Sequence, residues 1–351
     1  MKPALLIETT RSQLTETQHY GFILVVDKKE KILSKTGDDE NKNFWFRSAA
    51  KPFQASLIIK SGAYDKFNFT LEELAVCCAS HTGTEQHTKT VQSVLDKIGL
   101  TETDLQCGIH DPLDKETRDY FIKNDINSSQ LQNNCSGKHA GMLAVCIANG
   151  WNIENYLELS HPLQKEITTT IANFCNFDEN NINIGTDGCS APVHALPLYK
   201  MGVGFLNLFL NKGGLLAEAE GRAKLVRNAV YGEQPSYENI KKAFQKNPFL
   251  IGGNERLDTE IIKTSCGNLI SKTAAGGLCV TINLEKEQAL VVKILDADMT
   301  ARSIAIIEAL KQLKWLSKDA LETQKIAKLY DLKIKNLKNH PVGEIIPKFT
   351  L

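Results

Sequence analysis

The chain has 351 residues, 42% of them hydrophobic and 23% charged, enough for a large core spread over one or two domains. Its 41 basic residues balance 41 acidic ones at a formal net charge of zero, which argues against a nucleic acid or an acidic membrane surface as partner. The apolar run near the start is too short for a signal peptide, no later run reaches bilayer length, and nine cysteines without paired spacings point to reduced thiols and a cytoplasmic setting.

In chain order, β-branched and alternating runs predict strands at residues 4–9, 20–26 and 32–34, with Asp27-Lys28-Lys29-Glu30 as a turn. A helix is expected over 48–61. Another follows the capping box Thr70-Leu71-Glu72-Glu73, and a third carries Val91, Val94, Leu95 and Ile98 on one face and ends at Gly99. Further helices are expected at 139–149, 162–175, 216–231 and 236–246. Strands then return at 278–284 and 289–295 around Glu285-Lys286-Glu287, before a closing helix at 300–313 with Ile304, Ile307 and Leu310 aligned. The expected fold class is α/β (α+β), an antiparallel sheet flanked by helices with a helical insertion that forms one wall of a cleft. A single domain results, its sheet from about 1–46 and 272–315 and its insertion over about 47–271.

Arg47-Ser48-Ala49-Ala50-Lys51-Pro52 contains the chain's only Ser-x-x-Lys, at the start of a helix. Three-residue spacing on a helix puts the Lys51 amine beside the Ser48 hydroxyl, a base next to a nucleophile, with Pro52 suited to the first turn and Arg47 adding positive charge. Read alone, Ser48 is also an ordinary helix cap. Ser271-Lys272-Thr273-Ala274-Ala275-Gly276-Gly277 leads into the strand at 278–284. Serine β-lactamases and penicillin-binding proteins face their Ser-x-x-Lys with a Lys-Thr-Gly or Lys-Ser-Gly on an edge strand. Here Ala274 stands in the glycine position.

Two polar loops are candidate ligand sites. Residues 133–141, Asn133-Asn134-Cys135-Ser136-Gly137-Lys138-His139-Ala140-Gly141, run into a helix start that can receive an anionic group. Residues 185–192 offer Asp187 to a substrate amino group. Read alone, each is equally a tight connection whose glycines satisfy the backbone, and Cys135 and Cys189 are buried free thiols. His81 and His87 match no standard zinc spacing and read as surface or loop histidines. Cys77, Cys78, Cys146, Cys175, Cys266 and Cys279 read as core.

Taken together, the motifs at 47–52, 78–81 (Cys-Ala-Ser-His), 134–139 (Asn-Cys-Ser-Gly-Lys-His) and 185–189 (Gly-Thr-Asp-Gly-Cys) resemble the rhizobial-type (class 3) L-asparaginases. The resemblance runs from about Glu8 to the C-terminus and includes Pro341-Val342-Gly343-Glu344-Ile345. It implies a penicillin-binding-protein-like fold related to serine glutaminases, a homodimer, and hydrolysis of L-asparagine to L-aspartate and ammonia. It further implies two Ser-Lys pairs, Ser48 with Lys51 and Ser80 with Lys272, and a zinc ion (Zn2+) held by Cys135, Lys138 and Cys189 and completed by water. In a substrate pose built on it, Arg47 meets the α-carboxylate and Asp187 the α-ammonium, while His139, Thr186 and Gly188 also contact the substrate. A serine glutaminase, a penicillin-recognising hydrolase and a catalytically silent amino-acid-binding protein are the alternative readings.

Overall fold

A computed structural model describes residues 1–211 and 236–351; the helix expected at 216–231 lies outside them. The strands are β1 (Ala4–Arg11), β2 (Leu14–Asp27), β3 (Ile32–Thr36), β4 (Asn43–Trp45), β5 (Asn183–Thr186), β6 (Pro192–Pro197), β7 (Leu269–Thr273), β8 (Leu278–Asn283), β9 (Gln288–Ile294), β10 (Lys333–Lys335) and β11 (Pro341–Pro347). The main sheet runs β10-β11-β1-β2-β9-β8-β7, with β3 also on β2, and its pairings are antiparallel. β4, β6 and β5 make a second, three-stranded sheet inside the segment between β3 and β7.

The centre of β2 is apolar on both faces because helices cover both. Ile23 and Val25 pack with Leu290, Val292 and the helix Met299–Gln312. Phe22, Leu24 and Val26 face the larger helical core, with Val280, Ile282 and Val291. That two-sided burial produces the uninterrupted run 22–26. The expected antiparallel sheet with helices on both faces and a mostly helical insertion is observed.

Several boundaries differ from the sequence reading. Lys272 lies inside β7, an edge strand, not in a turn before β8. Gly276 and Gly277 make the turn at positive φ, and a Cβ on Gly277 would collide with the Ile294 carbonyl. The sheet also extends past residue 315, since β10 and β11 complete its other end. The helix Leu198–Phe209 went unread because it is buried nearly all round and shows no polar stripe. Residues 48–61 are a 3₁₀ turn, Arg47–Ala50, followed by the helix Lys51–Lys60 with Pro52 in its first turn. Cys266, expected in the core, is exposed beyond the helix Leu257–Thr264. No helix among the described residues is long and apolar enough to cross a membrane.

Candidate active site

The helix Lys51–Lys60 starts in the interior, and a buried amine there must find acceptors. Lys51 Nζ donates to the carbonyls of Ala79 (2.6 Å) and Asn134 (3.0 Å) and lies 3.1 Å from Ser80 Oγ. Ser80 follows the helix Leu71–Cys77 and is pinned through its N–H to Ile251 O. Close packing sets this distance: a Cβ on Gly137 would collide with the Val76 carbonyl, so only glycine lets the helix Ser136–Asn149 approach the segment leading to Ser80. From β7, the fully buried Lys272 brings its Nζ to 3.1 Å from the same Ser80 Oγ. Residues at 51, 80 and 272 therefore converge on one oxygen.

Ser48 sits half-buried on the 3₁₀ turn three residues before Lys51. The Lys51 amine, expected beside the Ser48 hydroxyl, makes no hydrogen bond to it and donates to the Ala79 and Asn134 carbonyls. Among the described residues the Ser48 hydroxyl has no hydrogen-bond partner and is free to meet a ligand.

Burial drives the Lys272 amine down to about 8; the Asp258 carboxylate opposes this, and Lys51 and Arg256 add to it. Ser80 has one proton to donate and can accept others. A neutral Lys272 would take that proton while an ammonium on Lys51 donates to the hydroxyl, which makes Lys51–Ser80–Lys272 a path for proton movement.

The second sheet places the next pair. Arg47 follows β4 and Asp187 follows β5, both strands flanking β6, and Arg47 Nη2 lies 2.9 Å from Asp187 Oδ1. Arg47 takes a positive φ and its buried Nε has no partner, while Thr186 and Gly188 are exposed beside Asp187. Two charges that would meet the ends of an amino-acid zwitterion thus meet each other.

Behind them the two polar loops join. Lys138 Nζ lies 2.8 Å from Cys189 Sγ, and Cys135 hydrogen-bonds Cys189. The Cys189 hydrogen bond holds the Cys135 thiol well below its usual range against burial, with Lys51 and Lys138 helping. Cys189 is pushed up correspondingly by its thiolate neighbour and by burial. Burial alone would lower Lys138, but the two sulfurs outweigh it and keep the amine charged. Among the described residues no group of three or more His, Cys, Asp or Glu side chains could hold a metal, so a metal here needs Lys138 as third donor. Two buried sulfurs and an amine already in mutual contact fit a soft divalent ion such as zinc, which would displace the protons they share.

His139 Nδ1 is 2.7 Å from the hydroxyl of Tyr156, a fully buried side chain whose oxygen accepts from Gln106 N at 3.0 Å. Tyr156 has no other acceptor among the described residues, so its proton goes to Nδ1. The imidazole proton then sits on Nε2, which is buried and unpartnered. His139 presents a fixed donor for a ligand.

His81 and His87 are buried and stacked, not surface residues. His81 bridges Ser136 Oγ and Gly83 N, and His87 bridges Thr84 Oγ1 and Phe249 O, so both are consumed in structure. Sequence reasoning missed Asp258 and Tyr156. The partners that give them their roles, Lys272 and Thr273 for Asp258 and His139 for Tyr156, lie elsewhere in the chain.

No curated protein matches this chain. A solved structure described as a "putative beta-lactamase" from Bacteroides dorei DSM 17855 is similar at 10% identity and a TM-score of 0.40, over 78% of this chain and 85% of that one. Residues 7–347 match the family described as L-asparaginase II, a span that holds every residue of the clusters above and nearly the whole chain. The chain belongs to the L-asparaginase II family.

Proposed function

We propose that the chain hydrolyses the side-chain amide of L-asparagine, giving L-aspartate and ammonia, through a serine activated by lysine. The observation that carries this reading is the meeting of Lys51 and Lys272, from a helix start and an edge strand, on Ser80 Oγ at 3.1 Å each. Two buried amines, one of them lowered to about 8, supply a base and an acid on either side of a hydroxyl.

Lys51 first passes a proton through Ser80 to neutral Lys272, and the amine so freed takes the Ser48 proton as Ser48 attacks the amide carbon. The leaving nitrogen takes a proton from Ser80, which is resupplied along the Lys51–Ser80–Lys272 path. Water then cleaves the β-aspartyl ester, restoring the Ser48 hydroxyl. Arg47 and Asp187 separate to hold the α-carboxylate and α-ammonium, and His139 Nε2–H donates to the bound substrate. The Ser48 N–H at the helix start is a candidate oxyanion donor. Cys135, Cys189 and Lys138 would hold zinc, which as a Lewis acid polarises a nearby carbonyl or, without that role, ties the two loops together. The homodimer belongs to this reading through the motif resemblance, and the cytoplasmic setting through nine cysteines without paired spacings.

A second reading makes Ser80 the nucleophile, favoured by its contact with both amines. A serine glutaminase would share either scheme and differ in pocket length, whereas Ala274 at the glycine position of Lys-Thr-Gly argues against a penicillin-recognising enzyme. Ammonia release from L-asparagine and L-glutamine, measured side by side, tests the substrate. Faster turnover of L-asparagine is expected, and release from neither amide would reject the activity.

A further inference from the structure

The helix Leu257–Thr264 directs an acid at the back of β7. Asp258, 2% exposed, lies in the first turn of this helix. Its Oδ1 accepts from Thr273 N at 2.7 Å, and its Oδ2 accepts from Thr273 Oγ1 at 2.9 Å and lies 3.5 Å from Lys272 Nζ. Tying the helix to the strand needs only the first of these contacts. The second oxygen is divided between a hydroxyl and the amine that reaches Ser80.

We propose that Asp258 is a positioning residue for the Ser-Lys chemistry: its Oδ2 aims the Lys272 amine at Ser80 and, shared with Thr273 Oγ1, decides how readily that amine keeps its proton. The inference rests on the Ser-Lys reading given above and deepens it. The Lys272 amine also donates to Thr273 O at 3.0 Å, so Thr273 fixes it through both its carbonyl and its claim on Asp258. The other charged and titratable groups facing this pair are Lys51, Arg256, Cys78 and Cys279, the last a thiol that burial pushes up to about 11. Lys51 and Arg256 repel the ammonium form; Cys78 is held as a neutral thiol by burial. Arg302, near Arg256, spends its Nη1 on Ala274 O at 3.0 Å. Asp258 is therefore the negative charge among these groups, beside the neutral Thr273 carbonyl and Ser80 hydroxyl that also accept from Lys272.

Removing the negative charge should make Lys272 shed its proton at lower pH, while removing the competing hydroxyl should concentrate the charge on the amine and do the opposite. The test uses protein carrying isotope-labelled lysine, with the Lys272 signal assigned by Lys272→Met and followed by NMR across pH in wild type, Asp258→Asn and Thr273→Val. In Asp258→Asn the Lys272 midpoint should fall by about one unit or more, the size of effect an opposite charge at this distance has. The acid limb of kcat with L-asparagine should move down with it while KM changes little. In Thr273→Val the midpoint and the acid limb should move up. An unmoved Lys272 midpoint in folded Asp258→Asn, or shifts of the same sign in both variants, would overturn the proposal. If Asp258→Asn does not fold, Thr273→Val decides: an upward shift supports the role and no shift rejects it. Opposite shifts in a protein that leaves L-asparagine intact would uphold the Asp258–Lys272 linkage and reject the asparaginase reading instead.

Discussion

Lys51 Nζ and Ser80 Oγ lie 3.1 Å apart across 29 positions of the chain, while no hydrogen bond joins Lys51 to Ser48 among the described residues. The two proposed Ser-Lys pairs are therefore one connected group. Ser80 is common to both lysines, and Ser48, three positions before Lys51, has no side-chain hydrogen bond among the described residues.

The first prediction separates the two serines. Ser48→Ala should keep the fold and lose at least about two orders of magnitude in kcat, as loss of a covalent nucleophile does. Ser80→Ala should lose activity and also stability, about 1–3 kcal/mol, because two buried amines lose an oxygen they share. Chemical denaturation beside kinetics checks both. Near-normal turnover by folded Ser48→Ala would move the nucleophile to Ser80.

The second concerns pH. Lys272 must be neutral to accept a proton, and burial sets its midpoint at about 8, so kcat should rise with pH through that value and level off above it. Below it the amine is charged and the base is lost. Lys51→Met and Lys272→Met should each remove most activity, and the double variant should cost little more than the worse single one. An acidic optimum, or losses that simply multiply, would contradict a coupled unit.

The third concerns metal. Protein purified without chelator should carry about one zinc per chain, and Cys135→Ser or Cys189→Ser should lower both zinc content and melting temperature. Elemental analysis and thermal melts with and without chelator check this. Metal-free protein whose cysteine variants melt like the parent would reject the site.

The fourth concerns Tyr156. Tyr156→Phe removes the only donor to His139 Nδ1 among the described residues, so the ring is no longer held as the Nε2–H form. KM for L-asparagine should rise on the order of tenfold, about 1.4 kcal/mol of binding, with a smaller change in kcat. An unchanged KM would show that His139 does not need this tautomer.

Much of this was legible in the sequence where local chemistry and spacing agree. The Thr70 capping box, the Pro162 helix start and the hairpin after β8 were readable because each depends on neighbours in the chain. Ser48, Lys51, Lys272, Cys135, Lys138 and Cys189 stood out as residue types in motifs. What the sequence withheld is tertiary. β7 is fully buried yet carries Ser271, Lys272 and Thr273, whose partners Thr281 across the hairpin and Ser80 and Asp258 on other elements show only in the fold, so its polar residues hid a strand. The Lys51 amine turns to Ala79 and Asn134, a choice made by carbonyls 28 and 83 positions away. His81 and His87 looked like loop residues because nothing local reveals their stacking.

The most direct test of serine-lysine catalysis is to acid-quench the enzyme during steady turnover of L-asparagine and map its peptides by mass. The expected result is one aspartyl group added to the peptide containing Ser48, absent from Ser48→Ala and increased when water is made slow to attack. The same mass on Ser80 would exchange the two serines but keep the chemistry. Sustained ammonia release with no aspartyl adduct on either serine, under conditions that trap such esters in a known acyl-enzyme, would contradict it.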